Sequence, residues 1–278
     1  MTASRFRLSL AVAVISPLLA CGGRDLTIGA DLPTVVVSVG QGRIEAPDSV
    51  RAGWTRLRVI EDGDGHIVVL FRLPASVSAG GVSSFLAILD TAVATPEPGV
   101  AMGGPEIGDD GEIVVPLTPG RYVLGCVRRG PDEHRHASAG ESKTFLAFPG
   151  DSASTAAAPI ATHSLSMIDF AYTGPEKWVA GLHLVRVENS GAQDHQLRLV
   201  RLQTGVTMKQ WMEADDPETI ATPIAGVARM GSGESAYLPV ALSPGSYVAY
   251  CLIVDPKTHR PHVALGMLRA IEVERAGR

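Results

Sequence analysis

Aromatic residues make up only 5% of the 278-residue chain, and charged residues 19%. With 24 basic against 29 acidic residues and a net charge of −5, there is no cationic surface to hold a polyanion, so nucleic acid is excluded as a partner. Three cysteines are too few for a disulfide-built scaffold. After the first twenty residues no apolar run is long enough to span a bilayer as a helix. There is also no nucleophile elbow, glycine-rich phosphate loop, His-Glu-x-x-His zinc motif or Cys-x-x-Cys pair, which removes the commonest hydrolase, nucleotide and dithiol chemistries. No helical period of useful length stands out.

What is present begins with a leader. Arg5 and Arg7 precede an apolar run, Leu8 to Leu19, interrupted by Ser9, Ser16 and Pro17; this is the layout of an export signal and is too short for a permanent span. The run ends in Leu18, Leu19, Ala20 and Cys21, which resembles the lipobox of bacterial lipoproteins. The resemblance implies cleavage before Cys21, a lipid on its thiol, and a periplasmic or cell-surface protein anchored in a membrane. Residues 1–21 are then the leader and 22–34 a linker.

The rest of the chain repeats itself with a period of 125 to 129 residues, the length of a duplicated domain. Val50-Arg-Ala-Gly53 is answered by Val179-Ala-Gly181, and His66 to Leu73 by His195 to Leu202. Leu117-Thr-Pro-Gly-Arg-Tyr-Val123 returns as Leu242-Ser-Pro-Gly-Ser-Tyr-Val248, and Cys126 as Cys251. Thirty glycines, nineteen prolines and short alternating β-branched runs predict an all-β chain of two tandem Greek-key sandwiches. Domain 1 spans 35–149, a Ser/Ala/Thr-rich linker 150–160, and domain 2 161–275. Thr91 to Asp110, where Pro, Gly and acidic residues replace periodicity, reads as a less ordered insertion. Trp211 to Thr222 reads as a short helix capped by its acidic cluster.

Cys126 and Cys251 remain to be explained, since idle thiols in an oxidising compartment are bridged, buried or metal-bound. In domain 2, His195 is followed by Cys251, His262 and Met267. Two imidazoles, one thiolate and a weak thioether are the donors of a type 1 copper centre, because sulfur suits Cu(I) and imidazole accepts both oxidation states. The Asp194-His195 pair after Asn189-Ser-Gly191, and Tyr247 to Cys251 followed by Pro261-His-Val-Ala-Leu-Gly-Met267, resemble the cupredoxins of plastocyanin and pseudoazurin type. The resemblance implies a cupredoxin-like fold, one copper ion and an electron carrier with a redox protein partner. One departure is the ten-residue loop between Cys251 and His262, longer than that family uses. A hairpin would absorb it, but a register error of one residue would send His262 to the other face; His259 is the reserve ligand.

Domain 1 carries the weaker set His66, Cys126, His136 and Glu141. Its carboxylate disfavours Cu(I), and the flanking Arg128, Arg129, Asp132 and Glu133 make a solvated loop the default reading. A Cys126–Cys251 disulfide ranks below two separate sites. The alternative to an electron carrier is a metal-free binding or structural module at the envelope. A copper oxidase would need several His-x-His pairs, and only His134-Arg-His136 has that form.

Overall fold

The computed structural model describes residues 32–277 apart from 63–64, 75, 107–109 and 151–156. The leader, Cys21 and the linker before residue 32 lie outside the described residues.

Each repeat supplies nine strands in the same order. Domain 1 has β1 (Thr34–Gly40), β2 (Arg43–Glu45), β3 (Ser49–Arg51), β4 (Gly53–Glu61), β5 (Val68–Leu73), β6 (Val100–Ala101), β7 (Asp110–Leu117), β8 (Gly120–Cys126) and β9 (Ser142–Phe148). Domain 2 has β10 (His163–Ile168), β11 (Ala171–Thr173), β12 (Lys177–Val179), β13 (Gly181–Asn189), β14 (His195–Leu202), β15 (Ala221–Met230), β16 (Ser235–Leu242), β17 (Gly245–Tyr250) and β18 (Leu268–Glu274). One sheet of each sandwich runs β3-β9-β8-β5-β6 or β12-β18-β17-β14-β15. The other two are joined edge to edge, through β7 and β16 at Val114 and Tyr237, into one sheet ordered β11-β10-β13-β16-β7-β4-β1-β2. Trp54 packs edge-on against Tyr237 across that seam, with centroids 5.2 Å apart.

Strand alternation places the core. In β1, Val35, Val37 and Val39 are buried while the residues between them face out, the period-2 signature of a sheet with one dry face. The Pro-Gly turns end in matching tyrosine corners. The Tyr122 hydroxyl donates to the Thr118 carbonyl at 2.9 Å and accepts from its amide at 2.9 Å; Tyr247 does the same with Ser243 at 2.8 and 3.1 Å. Because both rings are buried, Tyr247→Phe orphans a donor and an acceptor of the turn, and urea unfolding is expected to show a loss of about 1–2 kcal/mol. A loss indistinguishable from zero would mean that water replaces the hydroxyl.

Two helices depart from the sequence reading. The helix α1 (Ala79–Thr91) was not anticipated; Ser78 caps it by accepting from the Gly81 amide at 3.2 Å, and Val82, Phe85 and Leu89 bury one stripe. The second, α2 (Met208–Glu213), begins earlier than expected because Thr207 and Gln210 form a capping box, while Asp216 caps a separate 3-10 turn, Pro217–Ile220.

Up to Glu106, the supposed insertion is an ordered strap, and residues 107–109 lie outside the described residues. Ala101 and Met102 are fully buried; β6 pairs with β5, while Met102 and Pro105 bridge to Met230 and Val227 of β15. Gly104 permits this approach, since a Cβ there would lie 1.8 Å from the Val68 carbonyl oxygen. Glu106, at the end of the strap, accepts from Arg198 Nε at 2.7 Å and from Gln196 Nε2 at 3.2 Å. Asp194 accepts from the amide and hydroxyl of Thr95 and from Arg229. The two sandwiches are thereby stitched beyond the shared sheet, and Arg72 adds a further pair to Glu234 at 2.7 Å.

Candidate metal centre

In domain 2 the long loop is the hairpin its length calls for. Val254 pairs with Pro261, the His262 amide donates to the Ile253 carbonyl at 2.8 Å, and the Val263 amide donates to the Cys251 carbonyl at 2.8 Å. This pairing turns the ring of His262 back over Cys251, at the same pole as His195, which opens β14. The Nδ1 atoms of His195 and His262 stand 3.0 Å apart, and Cys251 Sγ is 3.5 Å from His262 Nδ1. All three side chains are buried. The chain then turns through Gly266, at φ 106° in the left-handed region that glycine occupies freely, to Met267. Met267 is buried, its amide donates to the His262 carbonyl at 2.9 Å, and its carbonyl accepts from the Cys251 amide at 3.3 Å. His259 is instead an exposed turn residue at φ 56°.

The outer partners decide which nitrogens carry protons. Asp169 Oδ1 lies 3.0 Å from His195 Nε2. Burial pushes the Asp169 carboxyl up, but hydrogen bonds from His195 and from the Gln193 and Ala192 amides outweigh it and leave it below its ordinary value. An ionised Asp169 therefore takes the Nε2 proton. Asp255 accepts from Gln193 Nε2 at 3.1 Å, which turns Gln193 Oε1 toward His262 Nε2 at 3.3 Å, so that nitrogen is protonated too. Both Nδ1 lone pairs then point into the same space. Burial, and next the neighbouring His195, push His262 down to about 4, and burial lowers His195, so no imidazolium fills the gap at neutral pH. The Cys251 thiol, raised to about 12 chiefly by burial, can donate to one lone pair and leaves the other opposed.

Sequence reasoning did not assign Asp169, Gln193 or Asp255 to the site: Asp169 follows β10, Gln193 stands two residues before His195, and Asp255 lies in the hairpin between Cys251 and His262. Gly191 was seen only as a turn residue; a Cβ there would lie 2.5 Å from Asp169 Oδ1 and 2.7 Å from His195 Nε2, so the glycine makes room for the pair.

In domain 1, Arg128, Arg129, Asp132 and Glu133 are exposed as expected, while Cys126 and Glu141 are buried beside His66 and His136. His66 precedes β5, Cys126 ends β8, and His136 and Glu141 lie in the loop to β9. Cys126 Sγ is 3.6 Å from His66 Nδ1 and 3.7 Å from His136 Nδ1, while Glu141 Oε2 is 2.9 and 3.0 Å from the same nitrogens. The loop is latched to α1, where Asp90 accepts from the Arg135 amide, His134 Nδ1 and the Ser138 hydroxyl at 2.6, 2.6 and 2.9 Å. The backbone repeats domain 2 bond for bond: the His136 amide donates to Arg128, the Ala137 amide to Cys126, the Cys126 amide to Glu141, and the Glu141 amide to His136. Glu141 thus stands where Met267 stands. Both thiols are free, so they are not bridged to one another. His134, 64% exposed and bound to Asp90, belongs to the latch rather than to a His-x-His site.

The two clusters are the groups of metal-ligating side chains that come together among the described residues. Donors bound to one ion at zinc-like N and S distances, in tetrahedral geometry, stand about 3.3–3.6 Å apart, close to the spacings in both clusters. His66 and the neighbours of the second cluster, Leu252 and Val263, line one interdomain cleft of about 560 Å³.

The depressed histidines make metal-free domain 2 acid-sensitive. Between the unfolded His value of 6.5 and the folded value of about 4 for His262, the unfolded chain binds more protons. Stability is then complete above pH 6.5 and falls on the order of 3 kcal/mol as pH drops through that window. Urea midpoints of the metal-free chain against those of His262→Gln check this, since the variant should lose most of the slope.

No protein-family model and no curated protein sequence matches the chain. Among solved structures, a dithionite-reduced auracyanin from the photosynthetic bacterium Roseiflexus castenholzii is 23% identical, covering 41% of this chain and 95% of its own, with a TM-score of 0.28. Auracyanin A from Chloroflexus aurantiacus, described as a blue copper protein, is 16% identical over 40% of this chain and 96% of its own, with a TM-score of 0.29. A copper nitrite reductase from Nitrosomonas europaea is 14% identical over 87% of this chain and 83% of its own, with a TM-score of 0.24. Among the described residues no helix is long and apolar enough to cross a membrane.

Proposed function

We propose that the chain is a lipid-tethered electron carrier of the bacterial envelope, not an enzyme, with one copper ion held in domain 2 by His195, Cys251, His262 and Met267. The observation that carries this reading is the approach of the two Nδ1 atoms to 3.0 Å in a buried site where Asp169 and Gln193 face the two Nε2 atoms, an arrangement that leaves both Nδ1 atoms as acceptors. Such a site is relieved by a cation and by little else. Copper supplies one-electron chemistry when bound, and the buried, hydrogen-bonded rings resist rearrangement when its charge changes. Tethering rests on the lipobox-like Leu18 to Cys21, and a redox protein partner follows from the carrier role.

The test uses the chain with Cys126→Ala, which leaves domain 2 as the one thiol-bearing cluster. Copper(II) is expected to bind one ion per chain with intense visible thiolate-to-copper absorption, bleached by ascorbate and restored by ferricyanide. A colourless titration of a folded chain overturns the proposal and leaves a metal-free binding or structural module. Asp169→Ala frees the His195 ring and is expected to lower copper affinity about 10–100-fold, measured by competition with a chelator; unchanged affinity would remove Asp169 from the site.

A further inference from the structure

We infer that the domain 1 cluster is a metal site in its own right, one that takes a divalent ion such as Zn(II) or Cu(II) and keeps copper oxidised.

The argument is one of charge in a dry place. His66 and Glu141 side chains are 8% and 7% exposed, and Cys126 is fully buried. Two neutral imidazoles, one thiolate and one carboxylate bring two negative charges to the ion. A divalent ion makes the cluster neutral, whereas adding an electron to give Cu(I) leaves a net negative charge among desolvated groups, which is costly. In domain 2, Met267 brings no charge, so the same count is neutral with Cu(I). The donors agree with the charges: carboxylate oxygen is hard and favours the higher oxidation state, while thioether favours the lower.

Glu141 also changes what the cluster does without metal. Its Oε2 is within 3.0 Å of both Nδ1 atoms, so it can accept a proton-mediated bond from each ring and hold the ligands in place. Domain 2 has no such acceptor. The shared backbone hydrogen bonds show that the exchange of thioether for carboxylate was made at one fixed position. His136, with a side chain 26% exposed, is the least buried of the four side chains and leaves the cluster open to solvent on that side.

The inference rests on domain 1 alone and survives if domain 2 proves metal-free. The full-length chain with Cys251→Ala, given excess Zn(II) and desalted, is expected to retain one zinc ion; adding Cys126→Ala should reduce this to none. The same Cys251→Ala chain loaded with Cu(II) is expected to keep its paramagnetic resonance signal in ascorbate, whereas Glu141→Met in that background should lose it. Glu141→Gln, nearly isosteric and uncharged, should lower zinc affinity by more than tenfold with the fold retained. Absence of retained zinc in folded Cys251→Ala, or a copper signal lost to ascorbate as readily with Glu141 as with Met, overturns it.

Discussion

Cys251→Ser is expected to remove the ascorbate-sensitive visible absorption of the copper-loaded chain and to weaken copper binding in domain 2 by more than about 100-fold, beyond the range for loss of an outer partner. Serine keeps a small donor beside His262 Nδ1, now 3.5 Å from sulfur, so the metal-free fold should survive. It cannot supply a soft anion, because a buried alkoxide is far less accessible than a buried thiolate. At neutral pH the wild-type thiol, raised to about 12, is protonated when the site is empty. With Cys126→Ala in both chains, copper uptake therefore releases one proton from Cys251, and the serine variant should release none. Calorimetry in buffers of different ionisation enthalpy reads that number. Equal proton release by both chains would place the copper elsewhere.

The second large effect lies at the domain junction. Glu106 is 2% exposed and its partner Arg198 is 21% exposed. Burial pushes the Glu106 carboxyl up despite the opposing guanidinium, which marks a group that needs its partner. Arg198→Met leaves the acid with only the Gln196 amide, and urea unfolding is expected to show a loss of about 3–5 kcal/mol, the usual result of breaking a buried pair from one side. Adding Glu106→Met should recover most of it, because a packed apolar pair removes the stranded charge. If the double variant is no better than the single, the loss comes from packing of the arginine stem and not from the charge.

How far the sequence reached can be read from particular residues. The β architecture was legible because alternation in segments such as Val35 to Val39 and the repeated Pro-Gly-x-Tyr turns are local signals. His195, Cys251, His262 and Met267 were legible as donor types in order, but the side on which His262 falls depends on the pairing of Val254 with Pro261, a long-range backbone event. Asp169 was invisible for a similar reason: it follows β10, 26 residues before the ring it orients. The loop after Cys126 read as solvated because its charged residues do face solvent; the inward placement of His136 and Glu141 was not legible because the latch that holds the loop, Asp90 on the Arg135 amide, His134 and Ser138, comes from α1 far away in sequence. That helix was itself hidden by Gly80, Gly81, Ser83 and Ser84, although Val82, Phe85 and Leu89 already had helical spacing. The strap was misread because glycine and proline signal a loose loop, yet here glycine serves close contact.

The join between β7 and β16 has a consequence for anyone who would cut the chain in two. Each half, taken alone, would present an unpaired strand margin where its sibling had been, together with the apolar surface of Trp54 or Tyr237. Bare margins of that kind recruit other strands, so a severed half is expected to dimerise or precipitate, and the duplicated gene product is committed to remaining one molecule.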